Sequence, residues 1–233
     1  MKIELFTFTY NDEDLLPFFL KHYESLVHKM TFIDSGSTDK TLEMVKNHNV
    51  VKTGLSWWDW DALHYMRNNI WRGSQYDLIF FPDLDEFFYR PDLLDFLERS
   101  KADIYQLKGY QMVADSFPKN GSMLDIKLGI PLPLHDKYTI FKPTADIVFP
   151  DAHNITTNSK SINRFGIKLL HYKYMGAKHM AERARKVKER VPANSFTHNI
   201  NGNILKVFPS YFKTEEEYKV EIAGMLARAE RII

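Results

Sequence analysis

Over roughly its first 90 residues the chain alternates short β-type runs with helical stripes, and that rhythm restricts it to few architectures. Residues 2–9 alternate and are rich in Phe, Thr and Ile, as a strand should be. Asn11 to Asp14 supply cap-type residues, and Leu15, Phe18, Phe19, Tyr23 and Leu26 give a helical stripe. Pro17 is tolerated only in a first helical turn, which places the helix start near Asp14. A second strand at 30–34 leads into the turn 35–39 and a helix over 39–47. A third strand, 50–53, precedes an aromatic loop holding Trp57, Trp58 and Trp60, then a helix over about 61–73. Strand–helix alternation at this spacing implies an α/β fold, a mostly parallel sheet with helices on both faces. Such sheets bind ligands beyond the carboxyl ends of their strands.

The fourth strand carries the most telling polar residues. The run Leu78-Ile-Phe-Phe-Pro ends in Asp83-Leu-Asp85-Glu86. On an extended strand residues i and i+2 share a face, so Asp83 and Asp85 are expected to converge on one point. Adjacent like charges repel unless a cation sits between them, and a hard divalent metal is the simplest remedy. The competing reading makes these acids a surface turn before a helix at 91–99. Asp34 and Tyr10 fall at two other predicted strand ends of the same edge.

Beyond residue 100 the pattern is less regular. Strands are expected at 103–108, 137–142 and 167–174, with an irregular stretch at 143–164. A basic amphipathic helix is expected at about 177–190. A last helix begins at Thr214, where Thr214-Glu-Glu-Glu217 has capping-box form. At 233 residues the chain is expected to be a single domain, with 1–100 and 101–233 as its halves.

Composition excludes several classes. Lys plus Arg is 31 and Asp plus Glu is 30, a net of +1, which gives no basic face for nucleic acid. With no cysteine there is no disulfide, thiolate nucleophile or zinc-thiolate site. A metal would be held by oxygen and imidazole, which favours Mn2+ or Mg2+. No apolar run reaches the length of a membrane span, and the N-terminus lacks a signal-peptide pattern. A cytoplasmic location is the expectation, with peripheral contact at the inner membrane face as its extension.

Three segments together resemble a glycosyltransferase of the GT-A fold, in the broad family 2 group that includes small bacterial sugar transferases. They are Phe6-Thr-Phe-Thr-Tyr-Asn11-Asp-Glu13, then Asp34-Ser-Gly36-Ser37-Thr38-Asp39-Lys-Thr41, then Arg67-Asn68 leading to Asp83-Leu-Asp85-Glu86. They cover about residues 3–89 in the family's order and spacing. A weaker likeness continues through Lys137–Phe141, Asp151–His153 and Lys168–Lys173. Ser35 is a departure, since many members carry a second aspartate there.

The resemblance implies a Rossmann-like nucleotide-binding half and an irregular acceptor region. It implies transfer of a sugar from a nucleoside-diphosphate sugar, UDP-sugar favoured, to a saccharide or lipid-linked acceptor. The metal site would be formed by Asp83, Asp85 and His171, with Asp83 contacting the ribose or metal-bound water, Asp85 ligating the metal and His171 as a further ligand. Thr7 and Tyr10 would line the base pocket, and Asp34 and Arg67 would face the nucleotide. Lys173 would meet phosphate. Arg67 has a second reading, an exposed residue paired with Asp59 or Asp61. His171 has one too, a hydrogen-bonded core histidine.

For an inverting reaction a carboxylate must take the acceptor proton. Asp136 is chosen from position over Asp115 and Glu86. The basic helix is either a solvated face or a surface against anionic lipid. The Trp loop either packs or stacks on sugar. Competing functions are a haloacid-dehalogenase-type phosphatase, which uses the first Asp as nucleophile, and a non-catalytic sugar-binding module of the same fold. A sugar nucleotidyltransferase needs an early Gly-rich loop, and the first glycine here is Gly36.

Overall fold

A computed structural model describes residues 1–54, 60–151, 153–188, 198–200, 203–205 and 212–233. The chain divides into two compact units, 1–110 with 131–171, and 111–130 with 172–233. Both are discontinuous in sequence, whereas the halves expected above met near residue 100.

The first unit begins with β1 (Ile3–Thr9), α1 (Leu16–Tyr23), β2 (Lys29–Asp34), α2 (Thr41–Met44), β3 (Asn49–Lys52), α3 (Trp60–Asn69) and β4 (Leu78–Phe80). The four strands lie in the order β3-β2-β1-β4, all parallel, with Leu5 opposite both Met30 and Phe80. Next come β5 (Glu86–Tyr89), α4 (Leu93–Ser100) and β6 (Ile104–Ala114), and later β8 (Lys137–Phe141), after β7 (Leu128–Pro131), and β9 (Ile162–Met175). β8 joins antiparallel to β4, and β6 antiparallel to β8. β5 pairs antiparallel with β9, placing Glu86 opposite His171.

Local chemistry sets these limits. Pro17 lies in the first turn of α1, where its missing N–H is no loss, and the helix buries Leu16, Phe18, Phe19 and Tyr23. α2 is shorter than the expected 39–47. The Asp39 carboxylate accepts from the Thr41 N–H at 2.9 Å, so residue 39 stands outside the helix as a local cap. α3 stops short of residue 73, where Gly73 adopts φ +86°. β6 and β9 run longer than expected, and the intervening stretch is irregular, with one bridge between Val148 and Thr156. β5 was not anticipated: Glu86-Phe-Phe-Tyr follows the acidic motif with no turn residue between them.

The core between the sheet and α3 gathers Phe6, Phe8, Trp71, Ile79, Phe81 and Phe141, all buried. Phe81 stacks on Phe8 at 5.5 Å, and Trp71 meets Phe141 edge-on at 4.9 Å.

In the second unit α5 (Ala177–Lys188) and α6 (Glu215–Leu226) share a core of Val113, Ala177, Met180, Tyr218, Ile222 and Met225. The capping box expected at Thr214 is present: Thr214 Oγ1 accepts from the Glu217 N–H, and Glu217 Oε2 accepts from the Thr214 N–H at 2.7 Å. β12 (Glu230–Arg231) pairs antiparallel with β7, and β10 (His198–Ile200) with β11 (Asn203–Leu205).

Candidate active site

The carboxyl edge of the parallel strands is built by side chains that hold backbone. Asp34, at the end of β2, is 2% exposed, and its carboxylate accepts from the N–H groups of Gly36 (3.0 Å) and Ser37 (3.1 Å). The Ser35 N–H donates to the Thr9 carbonyl, and Asn11 Oδ1 accepts from the Thr38 N–H at 2.7 Å. The loops after β1 and β2 are thereby joined, and Tyr10 is fixed between them through its N–H to Asp12 Oδ2 at 2.8 Å. Thr7 lies within β1, fully buried, its hydroxyl directed to the Phe8 carbonyl.

The acidic motif is a turn, not an extended strand. β4 ends at Phe80, and the Phe81 N–H still bonds the Thr139 carbonyl at 2.8 Å. Pro82, with no N–H, ends the ladder. The Glu86 N–H then reaches the Asp83 carbonyl at 3.0 Å, closing a turn with Leu84 buried beneath it. The expectation that Asp83 and Asp85 share a face because they alternate along a strand is therefore corrected: each has its own partners.

Asp83 stands between two cations. Its Oδ1 accepts from Arg67 Nη2 at 2.8 Å and its Oδ2 from Lys137 Nζ at 2.8 Å. Lys137 also meets Glu86 Oε1 at 2.6 Å, and Glu86 Oε2 accepts from the Asp83 N–H at 3.0 Å. The side chains of Arg67, Lys137 and Glu86 are 8%, 4% and 0% exposed, whereas Asp83 is 35% exposed. Arg67 is buried rather than exposed and pairs with Asp83, and its guanidinium lies 4.8 Å from the Phe81 ring centre. Burial opposes the Asp83 charge, but Lys137 and Arg67 outweigh it and hold the carboxyl well below its usual range. Burial pushes Glu86 up further than Lys137 draws it down. Lys137, also disfavoured by burial, is lifted above its ordinary value by Asp83 and Glu86.

Asp85 points elsewhere, toward a histidine group. Its Oδ2 lies 3.5 Å from His171 Nε2, with both side chains largely buried. The His135 ring lies 4.3 Å from that of His171, and His153 meets His135 edge-on at 5.5 Å. Burial, then the neighbouring His171 and Lys137, push His135 down to about 3; His153 is also lowered, chiefly by burial. The Nδ1 atoms of both are buried without a hydrogen-bond partner among the described residues. Among those residues no three His, Asp or Glu side chains are grouped to enclose a metal ion. Asp85 and His171 do fit as a two-ligand site, since a carboxylate oxygen and an imidazole nitrogen 3.5 Å apart can be bridged by one cation.

The remaining expected residues are more scattered. Asp136 precedes β8, with its Oδ1 accepting from the Gly109 N–H at 2.7 Å. Glu86, weighed as a base, is fully buried against Lys137 and cannot meet an acceptor hydroxyl. Asp115 is exposed in the second unit. Lys173 also belongs to that unit, its Nζ 5.8 Å from the Tyr174 ring centre. Trp57, Trp58 and Asp59 lie outside the described residues, as do Glu189 and Arg190 of the expected basic helix.

Lys137 and the His135–His153 contact were missed from sequence. Burial does not alternate along β8, where Thr139, Ile140 and Phe141 are all buried, so strand parity did not mark Lys137 either.

No family model and no curated protein matches the chain. Among solved structures it is similar to S. aureus TarS 1–349, with 17% identity over 96% of this chain and 71% of that one, at a TM-score of 0.49. In a longer TarS structure it spans 43% of the chain. It is also similar to glucosyl-3-phosphoglycerate synthase from Mycobacterium tuberculosis in complex with Mn2+, UDP and glucosyl-3-phosphoglycerate, with 15% identity over 82% and 81% of the chains and a TM-score of 0.46. Likeness at that level adds nothing to the strand order and the motif turn at the end of β4. Those features define the class: an α/β protein with a parallel, Rossmann-like sheet extended by antiparallel strands.

Proposed function

We propose that the protein is a metal-dependent glycosyltransferase that moves a sugar from a nucleoside-diphosphate sugar, UDP-sugar favoured, to a saccharide or lipid-linked acceptor. The observation that carries the proposal is the Asp85–His171 pair, set beside the charge-compensated Asp83 just beyond a buried parallel strand. Among the described residues the charged side chains paired at this point are Arg67 and Lys137 against Asp83, Asp85 and Glu86. Such a set has no surplus of positive charge for a diphosphate. A divalent cation, Mn2+ or Mg2+, held by Asp85 and His171 would supply that surplus and stabilise the charge that grows on the leaving diphosphate.

The chain's own residues would do the rest. Asp83 would present its carboxylate to the ribose or to metal-bound water. Arg67 and Lys137 keep it ionised. Asp34 acts chiefly by holding the Gly36–Ser37 turn, since its oxygens already accept two N–H groups. Tyr10 offers a ring for stacking on the base, whereas Thr7, fully buried in β1, is closed to a ligand. Asp136 is the candidate base for the acceptor hydroxyl and Lys173 a candidate phosphate partner.

A phosphatase would need Asp83 as a nucleophile, and a carboxylate whose two oxygens each carry a cation is poorly suited to attack. No helix among the described residues is long and apolar enough to cross a membrane. A lipid-linked acceptor would bring α5, with Lys178, Arg183, Arg185, Lys186 and Lys188, toward anionic headgroups. The test of function is release of nucleoside diphosphate from UDP-, GDP- and dTDP-sugars with Mn2+ and with chelator. Metal-dependent release from at least one donor is expected; none from any donor would overturn the proposal.

A further inference from the structure

We infer that Lys137 and Glu86 are positioning residues for the donor nucleotide, acting through Asp83. The inference rests on the glycosyltransferase reading above and assigns a role to two residues that are themselves closed to the ligand. Lys137 is 3% exposed and Glu86 0%, so neither touches substrate. Between them they grip Asp83 twice. Glu86 Oε2 takes the Asp83 N–H, which fixes the main chain of the turn, and Lys137 Nζ takes Asp83 Oδ2, which fixes the carboxylate. Lys137 is itself anchored on Glu86 Oε1 and carried by β8, the neighbour of β4 in the sheet. Arg67 closes the other side of the carboxylate from α3.

The consequence is an orientation that the turn alone would not give. An ionised carboxylate offers about four acceptor directions. Arg67 and Lys137 each occupy one, and Asp83 is the member of this group of four that reaches solvent, at 35% exposure against 8% or less for the others. The remaining acceptor directions therefore lie on the open side, where hydroxyl donors of a ribose would arrive. Apolar residues at both 86 and 137 would serve the fold alone as well or better, because replacing a whole buried ion pair by well-packed apolar side chains is often neutral or stabilising. The charge at 137 makes sense as a means of aiming Asp83.

The test is nucleotide binding in the full chain, by titration of UDP with saturating Mn2+. Lys137→Met risks unfolding, since it strands Glu86, so the working variant is Lys137→Gln/Glu86→Gln, which keeps volume and neutralises both groups. Folding is checked by melting. Three arms are compared with wild type: Asp83→Asn, the 137/86 double variant, and all three changes together. Positioning through Asp83 predicts that the double variant loses about tenfold or more in UDP affinity. It also predicts that adding the double change to Asp83→Asn costs less than about twofold further. Mn2+ affinity measured without nucleotide, by electron paramagnetic resonance, is expected to stay within about threefold, because Asp85 and His171 are untouched. A double variant that folds and binds UDP as wild type does overturns the inference. So do losses that multiply with Asp83→Asn, and so does a double variant too unstable to fold, which would make the pair a structural element. Failure of wild type to bind any nucleoside diphosphate with Mn2+ instead sinks the glycosyltransferase reading, and the two failures are thus separable.

Discussion

Replacing Lys137 by methionine tests the electrostatic account of the site as a matter of stability. In the native protein Lys137 Nζ lies 2.6 Å from Glu86 Oε1 and 2.8 Å from Asp83 Oδ2, with 4% of its side chain exposed. Asp83 retains Arg67 after the substitution, so the stranded group is Glu86, which no water reaches. Removing one partner of a buried pair costs about 3–5 kcal/mol. Protonation sets a ceiling on the loss. A carboxyl with an ordinary pKa of about 4.3 takes up a proton at pH 7 for about 3.7 kcal/mol, at 1.36 kcal/mol per unit. Burial already pushes Glu86 upward, and without Lys137 that push is unopposed, so the variant folds with Glu86 protonated. The folded state then binds more protons than the unfolded state, and stability of the variant relative to wild type falls as pH rises from 5 to 7. Urea melts should show a loss of about 3–4 kcal/mol at pH 7, roughly 10 °C in melting temperature, and a smaller loss at pH 5. Adding Glu86→Gln should recover most of it. A loss below about 1 kcal/mol, or one independent of pH, would refute the reasoning.

Two further outcomes follow from residues away from the ligand. His22 is packed between Tyr23 and Phe87, donates from Nε2 to the Phe88 carbonyl over 3.1 Å, and is lowered to about 4, mainly by burial. Its unfolded form binds a proton at higher pH than its folded form, so stability is present at pH 7 and is lost as pH falls from about 6.5 to 4. The contribution is about 3 kcal/mol, and His22→Gln should flatten the acid limb of the stability curve by that amount; an unchanged limb would contradict it. Gly109→Ala is expected to lose about 1–3 kcal/mol of stability, and donor turnover with it, by moving the His135–Asp136 turn. A Cβ at 109 would stand 2.5 Å from the His135 backbone, which cannot yield as a flexible side chain would. Wild-type melting and turnover in that variant would show that the turn has room.

Much of the parallel half was legible because its signals are local. The alternation in 2–9, the helical stripe through Phe18, Phe19 and Tyr23, and the Thr214–Glu217 capping box each act within a few residues. The antiparallel strands β8 and β6 were found as strands but could not be placed, since sheet neighbours 60 residues apart leave no mark on either sequence. β5 was hidden because the turn before it is made by acids and a leucine and contains no glycine. The site divided in the same way. Asp83, Asp85 and Arg67 were singled out through the ordered motif and His171 through the weaker likeness further on, but their grouping into two separate sets was not legible. A turn in place of an extended strand sends Asp83 to Arg67 and Lys137 and Asp85 to His171, and only the β4–β8 and β5–β9 pairings bring those partners to the motif. Lys137 shows the limit best: nothing local in β8 marks the two carboxylates it meets.

The most direct test of the central claim is a thermal melt with UDP and Mn2+ together, with each alone, and with chelator. Ligand at 100 times its dissociation constant adds about 2.7 kcal/mol. For a domain of this length that is a rise of roughly 5–10 °C. The account predicts that the rise requires nucleotide and metal together, and that it disappears in Asp85→Ala and His171→Ala proteins that still fold. No rise at millimolar UDP with Mn2+, or a full rise in the Asp85→Ala protein, would contradict it.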